Sequence, residues 1–424
     1  MINQYSINAI NKIKQDATLI KPLYGSYCFS NITTFFHNLF NNNVLTKMPH
    51  DVLGDLHNKY DNIIFFYIDG LGWNIFEKYI HHFDFFKKFH QKGVISKITS
   101  MFPSNTAPHI ISCHTGLTSS ESGIYEYIQY EPSVDKLISP LFFSTVDDTS
   151  RDGLLKYGIK PEDIIPNNSF YNKLRGDGIN SYIFINYELN KSIINNTLYS
   201  GTSKIIPYGT FAEGCTLLLE EFKSNKKTSY YYFYVGTLDE VGHRNGPESN
   251  AYLSELNSLQ YILNDLLDNL IRFNQYNSLL AVSTDHGMCH INPNEVYYIN
   301  EIIPEIHNYL LNSVNGMPIL PAGSTRDVFL YIKKEYLHEA KSILEAKFLG
   351  IANIVLVKDL IDDGWFGEKV TSEFNSRIAD IAIIPNPGNI VWWNNLDHII
   401  VNEYGHHGGN SNVEMEIPFL LMNI

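Results

Sequence analysis

At 424 residues, with 44% hydrophobic and 18% charged residues, the chain is long enough to bury a large core and too apolar to be disordered. A net charge of −14 argues against a broad nucleic-acid-binding face. It leaves room for a small anionic substrate where a bound metal reverses the local field. Cys28, Cys113, Cys215 and Cys289 have no Cys-x-x-Cys spacing, which argues against a zinc ribbon or a disulfide framework. Most of them read as buried small apolar residues.

The first sixty residues are polar and mixed, with one helix expected at 32–40. They lack a continuous apolar signal segment, and no run in the chain approaches the roughly 18 apolar residues of a membrane span. A cytoplasmic protein is therefore expected, with signal-less secretion as the alternative. Asn62–Ile68, NIIFFYI, reads as a buried parallel strand ending in Asp69-Gly70. Residues 73–90 carry helical periodicity and 94–98 a second strand. Then comes MFPSNTAPHIISCHTG (101–116), a strand-to-loop-to-helix turn that exposes Thr106 at a helix start. Unpaired N–H groups and the helix dipole favour an anion there.

Residues 125–180 are loop-rich and are expected over the upper edge of a sheet. Strands follow at Asn180–Asn186, 230–236 and 279–284, and helices at 209–223 and 252–273. Between about 300 and 374 a strand, a helix and a strand (327–332, 334–348, 351–357) suggest a compact βαβ-type insert. Strand character returns at 378–384 and 417–422. The alternation predicts an α/β fold with a mainly parallel sheet sandwiched by helices. The expected division is a core of 1–299 and 375–424, with a small α+β cap at 300–374.

Asp and His recur at or just past predicted strand ends or in nearby loops: Asp69, Asp239-x-x-x-His243, Asp285-His286 and His406-His407-Gly408-Gly409. Each has a plain reading: a turn, a surface helix pair, a helix start, a flexible loop. Asn105 or Thr106 alone reads as a helix cap. Together they supply the carboxylate and imidazole ligands of a hydrolytic two-metal site, and Thr106 supplies a hydroxyl nucleophile.

The segments YIDGLGW (67–73), FPSNTAPHIISCHTGLTSSESGI (102–124), LDEVGHRNGP (238–247), STDHGM (283–288) and HGGNSNVEMEIPFLL (407–421) resemble the type I phosphodiesterase/nucleotide pyrophosphatase family of the alkaline phosphatase superfamily. The resemblance implies an alkaline-phosphatase-like fold and two divalent ions, Zn²⁺ by preference. Asp69, Thr106, Asp285 and His286 would hold one ion, and Asp239, His243 and His407 the other. It implies Thr106 as the nucleophile and a phospho-threonine intermediate. His406 fits the family's His-Gly pattern less well than His407.

Where many members carry a phosphate-binding asparagine, this chain has Tyr127. Its hydroxyl, or the backbone N–H of Ala107, would take that role, with Asn105 and His109 as further candidates for contact with substrate. Tyr125, Tyr127, Tyr130 and Phe143 are candidates to stack on a base. Arg244 reads as a solvated surface residue. The substrate expected is a small, nucleotide-like phosphoester. The alternatives are a phosphomonoesterase or phosphonate hydrolase of the same superfamily and, from a different class, a metal-binding protein without turnover. The formylglycine motif of sulfatases is absent.

Overall fold

The computed structural model describes residues 1–14, 19–41, 46–148, 150–394 and 401–424. The strands that organise it are β1 (Asn62–Ile68), β2 (Gly93–Thr99), β3 (Asn180–Asn186), β4 (Lys204–Tyr208), β5 (Ser229–Val235), β6 (Ser278–Ser283), β7 (Ala322–Ser324), β8 (Asp327–Leu330), β9 (Ala352–Leu356), β10 (Ile381–Pro385) and β11 (Glu416–Asn423).

Strand β1 is buried at all seven positions. Successive side chains of a strand point to opposite faces, and here both faces are covered. Ile63, Phe65 and Tyr67 enter one core, while Ile64, Phe66 and Ile68 enter the other. Strand β5, SYYYFYV, divides likewise, with Tyr230 and Tyr232 on the first side and Tyr231 and Phe233 on the second. Such two-sided burial is the signature of a parallel sheet flanked by helices. The central sheet runs β2-β11-β6-β1-β5-β3-β4, and only β11 is antiparallel to its neighbours.

Helices Ile32–Asn41 and Thr106–Thr115 cover the first face. The long helix Asn250–Phe273 covers the second with Leu256, Leu259, Leu263, Leu266, Leu267 and Leu270. All four cysteines are buried and unpaired. Among the described residues no helix is long and apolar enough to cross a membrane.

Two expectations are corrected. The helix expected over 73–90 is two helices, Trp73–Tyr79 and Asp84–Lys92, separated by an extended Phe83. The break lets Phe76 meet Phe86 edge-on at 5.3 Å. Ten residues apart on a straight helix, they would stand about 15 Å apart along the axis. The second correction concerns the strand expected over 378–384. It forms as β10 and lies between β8 and β9, antiparallel to both. The smaller sheet, β7-β8-β10-β9, thus crosses the expected boundary at 374. The parallel pairing of Val296–Tyr298 with Ile390–Trp392 extends the unit on both sides. The loop-rich region after 125 carries a three-stranded antiparallel sheet, Gln129–Glu131, Lys136–Ser139 and Ser144–Thr145.

One buried ion pair ties the smaller sheet to the core. Arg326, in the β7–β8 turn, meets Glu414 in a two-pronged contact, Nε to Oε1 and a terminal nitrogen to Oε2, both at 2.9 Å. Both side chains are fully buried. Glu414 also accepts the Gly409 N–H and the Ser411 hydroxyl, so the pair holds the loop that carries His407. Removing one partner strands a buried charge. Glu414→Ala is therefore expected to cost about 3–5 kcal/mol of stability, read as a lower midpoint in thermal or urea unfolding.

Candidate active site

The sheet topology gathers the site. Strand β1 lies between β5 and β6 with Ile68 level with Val235 and Tyr67 level with Ser283. The residues that follow these three strands therefore emerge side by side at their carboxyl ends, where open α/β sheets bind ligands. Asp69 follows β1, helix Thr237–Asn245 with Asp239 and His243 follows β5, and Asp285-His286 follows β6. Thr106 opens its helix beyond β2. Antiparallel β11 starts at the same edge, with Glu416 beside Thr99, so the preceding loop brings His407 in.

The three carboxylates share one feature: each leaves one buried oxygen without a hydrogen-bond partner among the described residues. Asp69 Oδ2 accepts the Tyr234 hydroxyl at 2.5 Å. Asp285 Oδ1 accepts the N–H groups of His286 and Gly70 and the Thr284 hydroxyl. Asp239 Oδ2 lies 3.3 Å from His243 Nε2. Asp69 Oδ1, Asp239 Oδ1 and Asp285 Oδ2 are buried without a hydrogen-bond partner among the described residues.

The histidines follow the same rule. Nδ1 of His286, His407 and His243 donates to the carbonyls of Gly287, Ser104 and Gly405, at 3.0, 2.9 and 2.8 Å. A proton fixed on Nδ1 leaves Nε2 as a free donor to a metal. His286 Nε2 stands 3.1 Å from Asp285 Oδ2, 3.5 Å from Asp69 Oδ1 and 3.1 Å from the Thr106 hydroxyl. His407 Nε2 stands 3.2 Å from His243 Nε2 and 3.8 Å from Asp239 Oδ1.

Orphaned carboxylate oxygens and inward imidazole nitrogens are the donor set of a Zn²⁺-type site. Asp69, Asp285 and His286 present atoms within 4.8 Å of one another, as do Asp239, His286 and His407. Burial, followed by the neighbouring Asp285 and Asp239 charges, holds the Asp69 carboxyl well above the usual range. Burial would raise Asp239 too, but the His243 charge outweighs it and brings the carboxyl to about 2.

Thr106 is the first residue of its helix. Asn105 is the cap, its side-chain oxygen accepting the Ala107 N–H at 3.1 Å. That N–H is thus engaged within the protein. A cavity of about 550 Å³ opens over Thr106 and is lined by Asp69, Asn105, Tyr127, Asp239, His243 and His407. Tyr127, 41% exposed, and Asn105 both reach it.

His109 does not reach it. It is fully buried, its Nδ1–H donates to the Asn105 carbonyl, and its Nε2 accepts the Met101 N–H. It braces the loop before the helix, and the expectation that it touches substrate is corrected. Of the four candidate stacking aromatics, Tyr125 and Phe143 are fully buried. Tyr130 packs on Tyr331 away from this cavity, so Tyr127 is the one that lines it.

Its neighbours there include Phe142, edge-on at 6.1 Å, and Trp392 and Glu403. None of these three, nor Tyr234, stands out in the sequence, because nothing local marks a side chain that reaches the site through tertiary packing. His406 also lines the cavity, 3.3 Å from Glu403. Its ring meets that of His243 edge-on at 5.2 Å. Arg244 is exposed, 3.6 Å from Glu240.

Residues 63–410 match the family model described as type I phosphodiesterase/nucleotide pyrophosphatase. The chain belongs to that family. Among curated relatives, mouse ectonucleotide pyrophosphatase/phosphodiesterase family member 3 is 24% identical over 222 residues, which cover 51% of this chain and 24% of that protein. Human family member 5 is 20% identical over 358 residues, 83% of this chain and 67% of that one. The chain therefore spans about a quarter of the length of the mouse relative.

Among solved structures, murine ectonucleotide pyrophosphatase/phosphodiesterase 5 is similar, as an inactive threonine-to-alanine variant in complex with AMP. It has a TM-score of 0.63 and 18% identity over 85% of this chain and 87% of that one. The human counterpart has the same scores. The family fold is thus the alkaline-phosphatase-like α/β sandwich built here around β1.

Proposed function

We propose that the protein is a metal-dependent phosphodiesterase/nucleotide pyrophosphatase that hydrolyses a small, nucleotide-like phosphoester through a phospho-threonine intermediate on Thr106. The observation that carries this reading is the convergence of three half-satisfied carboxylates and three inward Nε2 atoms on the hydroxyl at a helix start. Asp69, Thr106, Asp285 and His286 would hold one divalent ion, and Asp239, His243 and His407 a second; zinc suits this donor set. Such ions, when bound, supply the positive charge that favours a threonine alkoxide and offsets charge on the phosphoryl oxygens.

The chain's own residues do the rest. Thr106 Oγ attacks phosphorus, the bond from phosphorus to the leaving oxygen breaks, and water then cleaves the threonine ester. Helix Thr106–Thr115 directs its positive end at the developing charge. With the Ala107 N–H held by Asn105, the Tyr127 hydroxyl is the donor in place of the family's asparagine. The unit that caps the site is read as the smaller sheet with its flanking strands, from about 296 to 392. Tyr127 and Phe142 on the core side and Trp392 on the cap side form the wall against which a nucleoside would rest. The AMP bound to the murine neighbour supports a nucleotide-like ligand.

The test is hydrolysis by the zinc-loaded protein of bis-p-nitrophenyl phosphate against p-nitrophenyl phosphate, followed by a panel of nucleotides and dinucleotides. A higher kcat/KM on the diester is expected. A clear preference for the monoester would replace this reading with a phosphomonoesterase.

A further inference from the structure

The cavity over Thr106 is lined by a carboxylate for which the proposed chemistry has no use, that of Glu403. A line of contacts reaches it from Thr106. The Thr106 hydroxyl is 3.1 Å from His286 Nε2, the His286 and His407 rings stack at 3.5 Å, and His407 Nε2 is 3.2 Å from His243 Nε2. Glu403 ends the line, its Oε2 lying 3.3 Å from His243 Nδ1 and 3.3 Å from His406 Nε2. This end of the line is not built as a third metal site. His243 Nδ1 donates to the Gly405 carbonyl at 2.8 Å, so that nitrogen carries a proton and offers a metal no lone pair.

The charge of Glu403 is left without a counterpart. Asp69, Asp239 and Asp285 each leave an oxygen for the divalent ions proposed above, whereas Glu403 belongs to neither ligand set. Its side chain is 38% exposed, and a carboxylate in contact with water is ionised at neutral pH. Among the described residues no lysine or arginine lines the cavity. Arg151 comes near, but it packs over the Phe142 ring at 5.2 Å and is not part of the lining. The rest of the wall around Glu403, with Tyr127, Phe142 and Trp392, is uncharged aromatic surface.

We propose that Glu403 is a specificity-determining residue. It selects phosphodiesters whose leaving group carries no negative charge of its own, and it discriminates against anionic leaving groups such as the pyrophosphate of a nucleoside triphosphate. In an in-line displacement the leaving oxygen departs opposite the attacking one. Thr106 and Glu403 stand at opposite ends of the line of contacts, so the departing group moves toward Glu403. A like charge on that group is repelled, in a cavity that supplies no basic side chain to offset it. This inference deepens the function proposed above and rests on it.

A matched pair of substrates tests it: thymidine monophosphate esters of p-hydroxybenzoate and of p-hydroxybenzamide, each joined through the phenolic oxygen. The two leaving groups have nearly the same shape and differ by one negative charge. The readout, on zinc-loaded protein, is kcat/KM for the carboxylate ester divided by kcat/KM for the amide ester. Intrinsic leaving-group reactivity, and any loss of metal common to both esters, cancel when a variant's ratio is divided by that of wild type. Glu403→Gln should raise the ratio about tenfold, and Glu403→Lys should raise it on the order of 100-fold. Arg151→Ala should leave it where it is. Calorimetric affinities of the same two esters for zinc-loaded Thr106→Ala, with and without Glu403→Gln, give a second ratio that needs no turnover and should rise in the same sense.

A ratio that moves in neither Glu403 variant overturns the proposal, however fast both esters are hydrolysed. A ratio that falls in Arg151→Ala also overturns it, because a cation would then already serve anionic leaving groups. Loss of one bound zinc equivalent in Glu403→Gln would make Glu403 a cation ligand and overturn it as well. If zinc-loaded wild type hydrolyses neither ester, the function proposed above fails, and the calorimetric ratio still decides whether Glu403 selects by charge.

Discussion

Thr106→Ala is expected to lower kcat on phosphodiester substrates by on the order of 10⁴-fold or more, as removal of a covalent nucleophile does elsewhere, while both metal equivalents stay bound. The separation follows from the geometry. Thr106 contributes one oxygen 3.1 Å from His286 Nε2, whereas the other residues proposed to hold the metals are each anchored independently of it. Asp69 is fixed by Tyr234, Asp285 by two backbone N–H groups, and the histidines by backbone carbonyls. The helix also survives the change, because its cap is Asn105 and alanine suits a first helical turn. Thr106→Ser keeps the hydroxyl and should keep turnover, losing only a methyl group.

The measurement is single-turnover kinetics on bis-p-nitrophenyl phosphate with metal analysis of the same samples. Wild type and the serine variant should release a burst of p-nitrophenol, and the alanine variant none. Turnover at the wild-type rate in the alanine variant would remove the phospho-threonine from the mechanism. Loss of metal together with activity would instead make Thr106 primarily a ligand.

The parts legible in the sequence are those in which chemistry and local pattern coincide. β1 and β3 are expected at Asn62–Ile68 and Asn180–Asn186 and form there, because a short run dominated by Ile, Phe and Tyr has few alternatives. Asp69, Asp285 and Asp239 are readable because each lies within four residues of the end of such a run. Their common location needs only the rule that parallel strands present their carboxyl ends on one edge.

What escaped depends on contacts between distant segments. Nothing near 381–385 shows that this strand pairs with β8 and β9 rather than joining the core, because the apolar pattern is the same for both outcomes. His109, three residues beyond Thr106, looks like a substrate ligand. Its role is set instead by the Met101 N–H and the Asn105 carbonyl, which only the folded loop brings to its ring. Phe142 rather than its neighbour Phe143 reaches the cavity, a difference of one residue in the direction of a turn. The Arg326–Glu414 contact joins the cap to the core across 88 positions, and no spacing rule reaches that far.

Removing the metals should have an effect as large as removing Thr106, and its pH dependence has a definite sign. In the metal-free protein Asp69 is held well above the usual carboxylate range by burial and by its acidic neighbours. His243 is held well above the ordinary imidazole value: burial lowers it, but Asp239 and then Glu403 outweigh that effect. Both groups therefore bind protons more tightly folded than unfolded. Stability from such groups is present at low pH and is lost as pH rises through the folded values. Through Asp69 and His243 the metal-free protein should lose stability between pH 6 and pH 8, while His407, which burial holds well below the usual imidazole value, acts in the opposite sense.

A divalent ion requires Asp69 ionised and His243 neutral, so its binding expels protons and strengthens with pH. The stabilisation it brings grows accordingly. The gap in Tm between zinc-loaded and chelator-treated protein is expected to widen from pH 6 to pH 8. Calorimetric titration in two buffers of different ionisation enthalpy should record net proton release at pH 7. Chelation should abolish diesterase activity, and added zinc should restore it. A Tm gap that narrows with pH, or proton uptake on binding, would mean that Asp69 and His243 are not the groups that meet the metal.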